Sequence, residues 1–386
     1  MILKNKLTNF SPIITIFTLK FYNFALMETK QEKPKGKAVP RRKGKSKKKS
    51  AGKNYTLAIL IVTLSIIVLI GSMTLFAFKS YNGDDEWIYI PADATKASVK
   101  DSLKTHLGSP MGNRVYLIWS MLGGDAHRNR GAYKIESGES ALSISRRIQR
   151  GQQTPVKVSF NASRTMKDMA RKLTRNLQCS PEEFLESCDK VLLDSGYTRE
   201  EFPALFLPDS YEFYWSASPD NVVRRLLGYH KRFWTPERLA KAKAEGITPI
   251  QAATLASIVE EETAKRDERP VVARLYLNRL HKGMKLQADP TVKFATGDFS
   301  IRRLNATHIA IKSPYNTYQV NGLPPGPIRI PDAATIDAVL NAPKHNYIYM
   351  CAREDFSGYH NFAVDYETHK ANARRYQAEL NRRNIH

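Results

Sequence analysis

The feature that most constrains this chain is Leu57 to Phe78, a run of 22 residues without a charged side chain. As a helix rising about 1.5 Å per residue, the run would be about 33 Å long, enough to cross the roughly 30 Å hydrocarbon core of a bilayer. A cleaved signal peptide is the alternative, but the run is too long and no small-residue cleavage site closes it. The sequence therefore predicts a single transmembrane helix over residues 57–78.

The charges on either side of this run predict its orientation. Residues 1–53 hold fifteen Lys or Arg and only two acidic residues, whereas three acidic residues occupy positions 84–86. Basic flanks remain in the cytoplasm. We therefore expect a basic cytoplasmic tail over residues 1–56, an anchor in the inner (cytoplasmic) membrane, and an extracytoplasmic location for residues 79–386. The low-complexity composition of the tail predicts disorder.

The formal net charge of +23 suggests a nucleic-acid binder at first sight. More than half of that excess lies in the tail, which the membrane helix would separate from the rest of the chain, and no nucleic-acid motif is recognisable. We therefore expect no nucleic-acid partner. The milder basicity of the remainder suits an anionic polymer or a membrane surface.

The three cysteines, Cys179, Cys188 and Cys351, are odd in number and show no CxxC spacing. This pattern predicts neither a zinc site nor a disulfide framework. A bridge between Cys179 and Cys188 is possible but is not indicated.

Beyond the apolar run, the chain alternates between strand-like and helix-like patterns, which predicts an α+β fold. Residues 79–155 are expected to form a small α+β module. Residues 156–386 are expected to form a larger mixed α+β domain, in which 203–215 reads as an aromatic turn and 366–382 as a closing helix.

One glutamate of the larger domain lies on an apolar helical stripe. From Thr248 the sequence predicts a helix, and Glu262 falls on the same face as Leu255 and Val259. Glu260 and Glu261 are expected to point toward solvent or the flank. Burial raises the pKa of a carboxylic acid, as a general acid near neutral pH requires.

A less specific interpretation of Glu262 is a helix-end residue that forms an ion pair with Arg266 or Arg269, four or seven residues further on. The spacing alone does not exclude this structural role.

Polar and aromatic residues cluster in the loops that follow. Gln287 and Asp289 lie in a predicted polar turn over 286–292, Tyr315-Asn316-Thr317-Tyr318 comes later, and 322–328 is rich in Pro and Gly. Aromatic faces, amides and carboxylates suit a sugar polymer. Taken singly, each of these residues could equally hold its loop together.

Four segments in this order resemble the signature segments of the endolytic murein transglycosylase, or YceG-like, family. They are Ser257–Thr263, Leu286–Val292, Tyr315–Tyr318 and Gly322–Ile328. The resemblance covers about residues 87–386. It implies a LysM-like glycan-binding module over residues 79–155, a transglycosylase catalytic domain over residues 156–386, and no metal or organic cofactor.

The resemblance also implies which residues carry the chemistry. The family's catalytic glutamate lies in an Ile-Val-Glu-x-Glu-Thr segment, which offers Glu262 and, as the alternative, Glu260. Glu262 is preferred because its spacing faces it inward and because Glu262-Thr263 is similar to the Glu-Ser pair of other lytic transglycosylases. Substrate-binding residues are expected to be Gln287, Asp289, Tyr315, Asn316 and Tyr318.

In such an enzyme one glutamate would cleave the MurNAc–GlcNAc bond within a glycan strand and leave a 1,6-anhydro-MurNAc end. The expected partners are peptidoglycan glycan strands, the cytoplasmic membrane and, by family analogy, cell-wall synthases whose nascent strands are terminated. Two rivals stay open: a muramidase-type hydrolase, for which Asp289 would be the second carboxylate, and a non-catalytic wall-binding protein.

Overall fold

The computed structural model describes residues 51–301 and 303–383. The predicted disorder of residues before 51 lies outside the described residues. In chain order the elements are α1 (Ala51–Ala77), β1 (Glu86–Ile90), α2 (Lys96–Leu107), α3 (Ser109–Met121), β2 (Gly131–Ile135), α4 (Ala141–Gln149), β3 (Val156–Phe160), α5 (Met166–Thr174), α6 (Pro181–Asp194), a 3-10 turn (Phe202–Leu205), β4 (Asp209–Phe213), α7 (Pro219–Phe233), α8 (Pro236–Ala244), α9 (Pro249–Glu262), α10 (Arg269–His281), α11 (Asp289–Thr296), α12 (Ala306–Ile309), α13 (Ala333–Leu340), β5 (Tyr349–Ala352), β6 (His360–Ala363) and α14 (Tyr366–Arg382).

Helix α1 contains the predicted apolar run except Phe78, and it begins at Ala51, so residues 51–56 are helical and their predicted disorder is wrong. Its segment Thr56–Ala77 is long and apolar enough to cross a membrane. Large side chains such as Leu60 and Ile67 are exposed, as lipid-facing side chains would be. The chain divides into two compact units, with the boundary between Leu69 and Ile70. All elements after α1 belong to the second unit, which has a mixed α+β composition.

The first core of the second unit belongs to a small α+β module. Strands β1 and β2 pair antiparallel, with Trp87 opposite Lys134, and helices α2, α3 and α4 pack against them. The buried Trp119 indole donates to Asn129 Oδ1 at 2.9 Å, and the buried Tyr133 hydroxyl donates to the carbonyl of Asn129 at 2.7 Å. The residues of this core, from Tyr81 to Ile148, all lie within the stretch 79–155.

A second core is formed by the antiparallel pair β3–β4 and helices α5 to α7. The segment 203–215, predicted as an aromatic turn, instead contains a 3-10 turn followed by β4. The crowded aromatic residues obscured an alternation in which Tyr211 and Phe213 face the core while Glu212 between them is exposed. Cys179 and Cys188 are buried in this core as free thiols.

The third core surrounds α9, with α10 and α13 packed directly against it. Thr248 caps α9 by accepting from the backbone N–H of Gln251, whose side chain in turn accepts from the Thr248 N–H. Every residue of α9 from Ala252 to Glu260 is buried. The helix therefore has no solvent face over this stretch, and its last turn carries the three consecutive glutamates.

Candidate active site

Glu262 is the last residue of α9 and is half-buried. Its Oε1 accepts a 2.6 Å hydrogen bond from the hydroxyl of Tyr276, which is buried in the following helix, α10. Within residues 51–301 and 303–383, no Lys or Arg lies within ion-pair distance of Glu262. Arg269, a partner considered from the sequence, instead lies 3.8 Å from Glu260. The ion-pair interpretation of Glu262 is therefore wrong for Arg269.

Burial raises the pKa of Glu262 to about 7. That value already includes the negative charge of Asp289, which raises the pKa, and the Tyr276 hydrogen bond and the charges of His360 and Lys293, which lower it. Near neutral pH, both the acid and the carboxylate are then appreciably populated. A carboxyl group whose pKa lies near the working pH can donate a proton in one step and accept one in the next.

Glu260 does not point toward solvent or the flank, so the orientation expected from the sequence is wrong. Its side chain is 1% exposed, and its Oε2 lies 3.2 Å from Arg329 Nε. Its Oε1 accepts from the backbone N–H of Asp332 at 2.8 Å, at the N-terminus of α13. The reason is that α13 and Arg329 cover the face of α9 that a helical projection assigns to solvent.

Both oxygens of Glu260 are thus occupied by the protein, although burial raises its pKa as well. Glu262, by contrast, has one oxygen held by Tyr276 and is not fully enclosed. Between the two glutamates that the sequence offered, accessibility therefore favours Glu262 as the group that can meet a substrate.

Gln287 and Asp289 are both exposed and lie at the N-terminal end of α11. Asp289 begins this helix, with Pro290 at its first turn, so the predicted polar turn over 286–292 is in part a helix N-terminus. Gln287 has a positive φ of 52°, and its Oε1 accepts from Arg279 Nη2 at 2.5 Å. Uncommon backbone conformations of this kind are concentrated at functional sites.

Tyr318 joins the same group, because its hydroxyl donates to Asp289 Oδ1 at 2.6 Å. Tyr315 is half-buried, and its ring lies 4.6 Å from that of Phe294 on α11. The structure thus brings Asp289, Tyr315 and Tyr318 around one helix, with Gln287 just before it.

Asn316 is fully buried, unlike the other predicted binding residues. Its Nδ2 donates to the carbonyls of Ile309 and Ile311, at 2.9 and 2.7 Å, and its Oδ1 accepts from the Tyr318 N–H at 3.1 Å. This placement supports a role in holding the loop, and we assign Asn316 to positioning rather than to contact with a sugar.

Sequence patterns did not single out Tyr276, or the pair formed by Glu268 and His360. His360 donates its backbone N–H to Glu268 Oε1 at 2.7 Å, and its Nδ1 lies 2.8 Å from Glu268 Oε2. Burial raises the pKa of Glu268, but the hydrogen bonds from His360 and Thr263 outweigh this effect and lower it. His360 lies in the polar and aromatic segment 358–362, whose composition resembles that of the loops at 286–292 and 315–318.

The described residues contain no group of three or more His, Cys, Asp or Glu side chains placed to hold a metal ion. What the site does offer is one carboxyl group with a near-neutral pKa, surrounded by exposed polar and aromatic groups. This arrangement is suited to proton transfer at a polar, hydroxyl-rich substrate.

The profile of the YceG-like family matches residues 88–375. The endolytic murein transglycosylase of Bacillus subtilis (strain 168) is 37% identical over 116 residues, which are 30% of this chain and 32% of that protein. The endolytic murein transglycosylase of Streptococcus pneumoniae (strain ATCC BAA-255 / R6) is 33% identical over 163 residues, or 41% and 29% of the two chains. The match thus spans about a third of the length of these curated relatives.

Among solved structures, the chain is similar to a yceG-like protein from Listeria monocytogenes, known from a crystal structure at 2.6 Å. The TM-score is 0.49 and the identity 21%, over 75% of this chain and 98% of the other. The family assignment rests on the profile match, which extends from β1 into α14 and covers most of the chain. The chain belongs to the YceG-like family.

Proposed function

We propose that this protein is an endolytic peptidoglycan lytic transglycosylase in which Glu262 acts first as acid and then as base. The observation that carries the proposal is the pKa of about 7 of Glu262, a half-buried carboxyl group with one oxygen fixed by Tyr276. The names of the two curated relatives, both endolytic murein transglycosylases, support the choice of substrate class.

The reaction needs only one carboxyl group. Protonated Glu262 donates its proton to the glycosidic oxygen, and the bond from that oxygen to C1 of MurNAc breaks as an oxocarbenium-like centre forms. The resulting carboxylate then removes the proton of the MurNAc 6-hydroxyl, whose oxygen bonds to C1. The products are a 1,6-anhydro-MurNAc end and a free GlcNAc 4-hydroxyl. Glu262 is protonated again, and no water is consumed.

The exposed groups around α11 are the proposed sugar contacts. Gln287 and Asp289 offer hydrogen bonds to hydroxyl and amide groups, and the rings of Tyr315 and Tyr318 offer apolar faces. The charge of Asp289 has a second effect, because it favours protonated Glu262 and would favour positive charge at C1. Asn316 holds the loop that presents Tyr318.

The other parts of the chain fit the same proposal. We assign α1 to a single-pass anchor in the cytoplasmic membrane, with the basic tail inside the cell and the second unit outside, because of the charge difference across the apolar run. The module over 79–155 is proposed to be LysM-like and to bind glycan. An anchored enzyme would meet nascent strands at the membrane, so termination of elongating strands beside cell-wall synthases is the proposed role.

A muramidase-type hydrolase is the second candidate. The observation in its favour is Asp289, an exposed carboxylate whose charge is felt by Glu262. A hydrolase uses a second carboxylate to activate water. Asp289 Oδ1 accepts the Tyr318 hydroxyl, so the other oxygen of Asp289 would have to activate the water molecule.

The test is a digestion of peptidoglycan by the full chain in detergent, with the new ends identified by mass spectrometry. Wild type is expected to release anhydro-MurNAc ends, and Glu262→Gln to release none while keeping its fold. Glu237→Gln changes an exposed glutamate of α8 and serves as the matched control. Reducing MurNAc ends would establish hydrolysis instead, and binding without any products would favour the non-catalytic alternative.

A further inference from the structure

A pocket lies beside the candidate active site and is not used by the reaction described above. It encloses about 390 Å³, including the solvent at its mouth, and Glu261 forms part of its wall directly before Glu262. Pro290 and Lys293 of α11 form another part, directly after Asp289. The pocket therefore adjoins both the proposed acid and one proposed sugar contact.

Arg164 supplies the main positive charge in this pocket. It lies two residues before α5, a helix of the second core, and its side chain lies 3.2 Å from Glu261. Glu261 is engaged more closely by Arg329, at 2.7 Å. Because Arg329 already compensates that carboxylate, the guanidinium of Arg164, whose side chain is 44% exposed, remains available to a second anion. Lys293 brings another cationic group to the same pocket.

The walls also have an apolar component that fixes the position of Arg164. Its guanidinium carbon lies 4.4 Å from the centre of the Phe299 ring, so the cation packs over the ring in a cation–π contact. Phe294 and Ile328 complete the apolar lining. A ligand for this pocket should therefore carry a carboxylate next to a short aliphatic segment.

We propose that this pocket binds a carboxylate of the peptide stem attached to MurNAc, and that Arg164 is a specificity-determining residue. The assignment rests on the proposed function, since it assumes that a glycan strand occupies the site of Glu262. The stem is the substituent that combines carboxylates with aliphatic side chains, and it is carried by the same MurNAc residue whose bond at C1 is cleaved. An Arg fork recognises such a group with two parallel hydrogen bonds.

The test compares two preparations of the same glycan strands, one with intact stems and one stripped of stems by an amidase. Full-chain wild type is expected to cleave the intact strands more efficiently. Arg164→Ala should lower kcat/KM on intact strands roughly tenfold or more, mainly through KM, as expected for loss of a charge-assisted hydrogen bond. The same variant should leave kcat/KM on stripped strands unchanged, and Arg164→Lys should recover part of the loss.

Arg199→Ala is the matched control, because Arg199 is also an exposed arginine paired with a carboxylate, that of Asp189. It should behave as wild type on both preparations. An equal loss on intact and stripped strands, or no loss on either, would overturn the proposal. Melting curves of Arg164→Ala and Arg164→Lys show whether a loss of kcat/KM comes from unfolding or from lost recognition of the stem.

A binding measurement distinguishes failure of this proposal from failure of the proposed function. Binding of a soluble stem-bearing disaccharide is measured by calorimetry in the same preparations. If wild type cleaves neither kind of strand, the proposed function fails. Weaker binding by Arg164→Ala than by wild type would still support the pocket, whereas equal binding would overturn it.

Discussion

The hydroxyl of Tyr276 donates a 2.6 Å hydrogen bond to Oε1 of Glu262. A donor aimed at a carboxylate stabilises its charged form, so this bond lowers the pKa that burial has raised to about 7. Removing the hydroxyl in Tyr276→Phe should therefore raise the pKa of Glu262. The protonated acid would persist to higher pH, and the alkaline limb of the kcat/KM profile should move up by about one pH unit.

The measurement is a pH profile of kcat/KM for wild type and Tyr276→Phe. The phenylalanine keeps the ring that packs in the third core, so the fold should be retained. Tyr133→Phe is the matched control, because Tyr133 is equally buried and donates to the carbonyl of Asn129, far along the chain from the acid. An alkaline limb that does not move, or that moves equally in both variants, would contradict the prediction.

The raised pKa of Glu262 also predicts a stability effect with a definite sign. Between pH 4.5 and about 7 the folded protein binds a proton at Glu262 that the unfolded chain has released, so stability falls as pH rises through this window. Glu262→Gln removes the penalty. It should raise the free energy of unfolding at pH 8 by an amount on the order of 1.4 kcal/mol per unit of pKa shift.

Urea titrations of wild type and Glu262→Gln at pH 4 and pH 8 test this expectation. The two proteins should be similar at pH 4, where Glu262 is neutral in both the folded and the unfolded chain. The variant should be the more stable at pH 8. A variant that is less stable than wild type at pH 8 would mean that the carboxylate is favoured by its surroundings, and the acid role would lose its physical basis.

Burial raises the pKa of Glu260 too, but its arginine contacts depend on the carboxylate, so Glu260→Gln should lower stability. Its carboxylate faces Arg329 and Arg269 and accepts the first N–H of the α13 terminus, from Asp332. Loss of the charge leaves the nearly buried guanidinium of Arg269 without a carboxylate and leaves Arg329 with Glu261 alone, and removing one partner of a buried pair costs roughly 3 kcal/mol. Chemical denaturation at pH 7 measures the loss, and stability at or above that of wild type would contradict it.

The contrast between these glutamates shows how far the sequence could predict the site. Helical spacing correctly predicted a helix that begins after Thr248, and it favoured Glu262 over its neighbours. It could not predict that α9 is enclosed on all sides, because the covering residues, Arg329 and the N-terminus of α13, lie about 70 residues further along the chain. Glu260 is thus buried by tertiary contacts that the local sequence does not indicate.

The loops show the same limit. Local patterns identified 286–292 and 315–318 as polar and aromatic, and the structure places them together through the Tyr318–Asp289 hydrogen bond. The patterns could not distinguish the exposed side chain of Gln287 from the buried amide of Asn316, which forms hydrogen bonds within its own loop. Which carbonyls Asn316 satisfies depends on how α12 folds back over it.

Asn316→Ala tests the loop-holding role. The substitution removes the amide that binds the carbonyls of Ile309 and Ile311 and the acceptor for the Tyr318 N–H. Buried groups left unpaired in this way cost about 1–3 kcal/mol, so the free energy of unfolding should fall by about 2 kcal/mol. Cleavage should also slow, because Tyr318 would no longer be held beside Asp289.

Gln319→Ala is the matched control for this variant. Gln319 donates to the carbonyl of Ile309 as well, at 2.8 Å, but its side chain is exposed, so water can replace the bond. It should lose less than about 0.5 kcal/mol, as expected for a surface substitution, and keep its activity. If Asn316→Ala were as stable as wild type and yet inactive, the amide would have to contact the substrate directly. The original expectation of a sugar contact would then be the correct one.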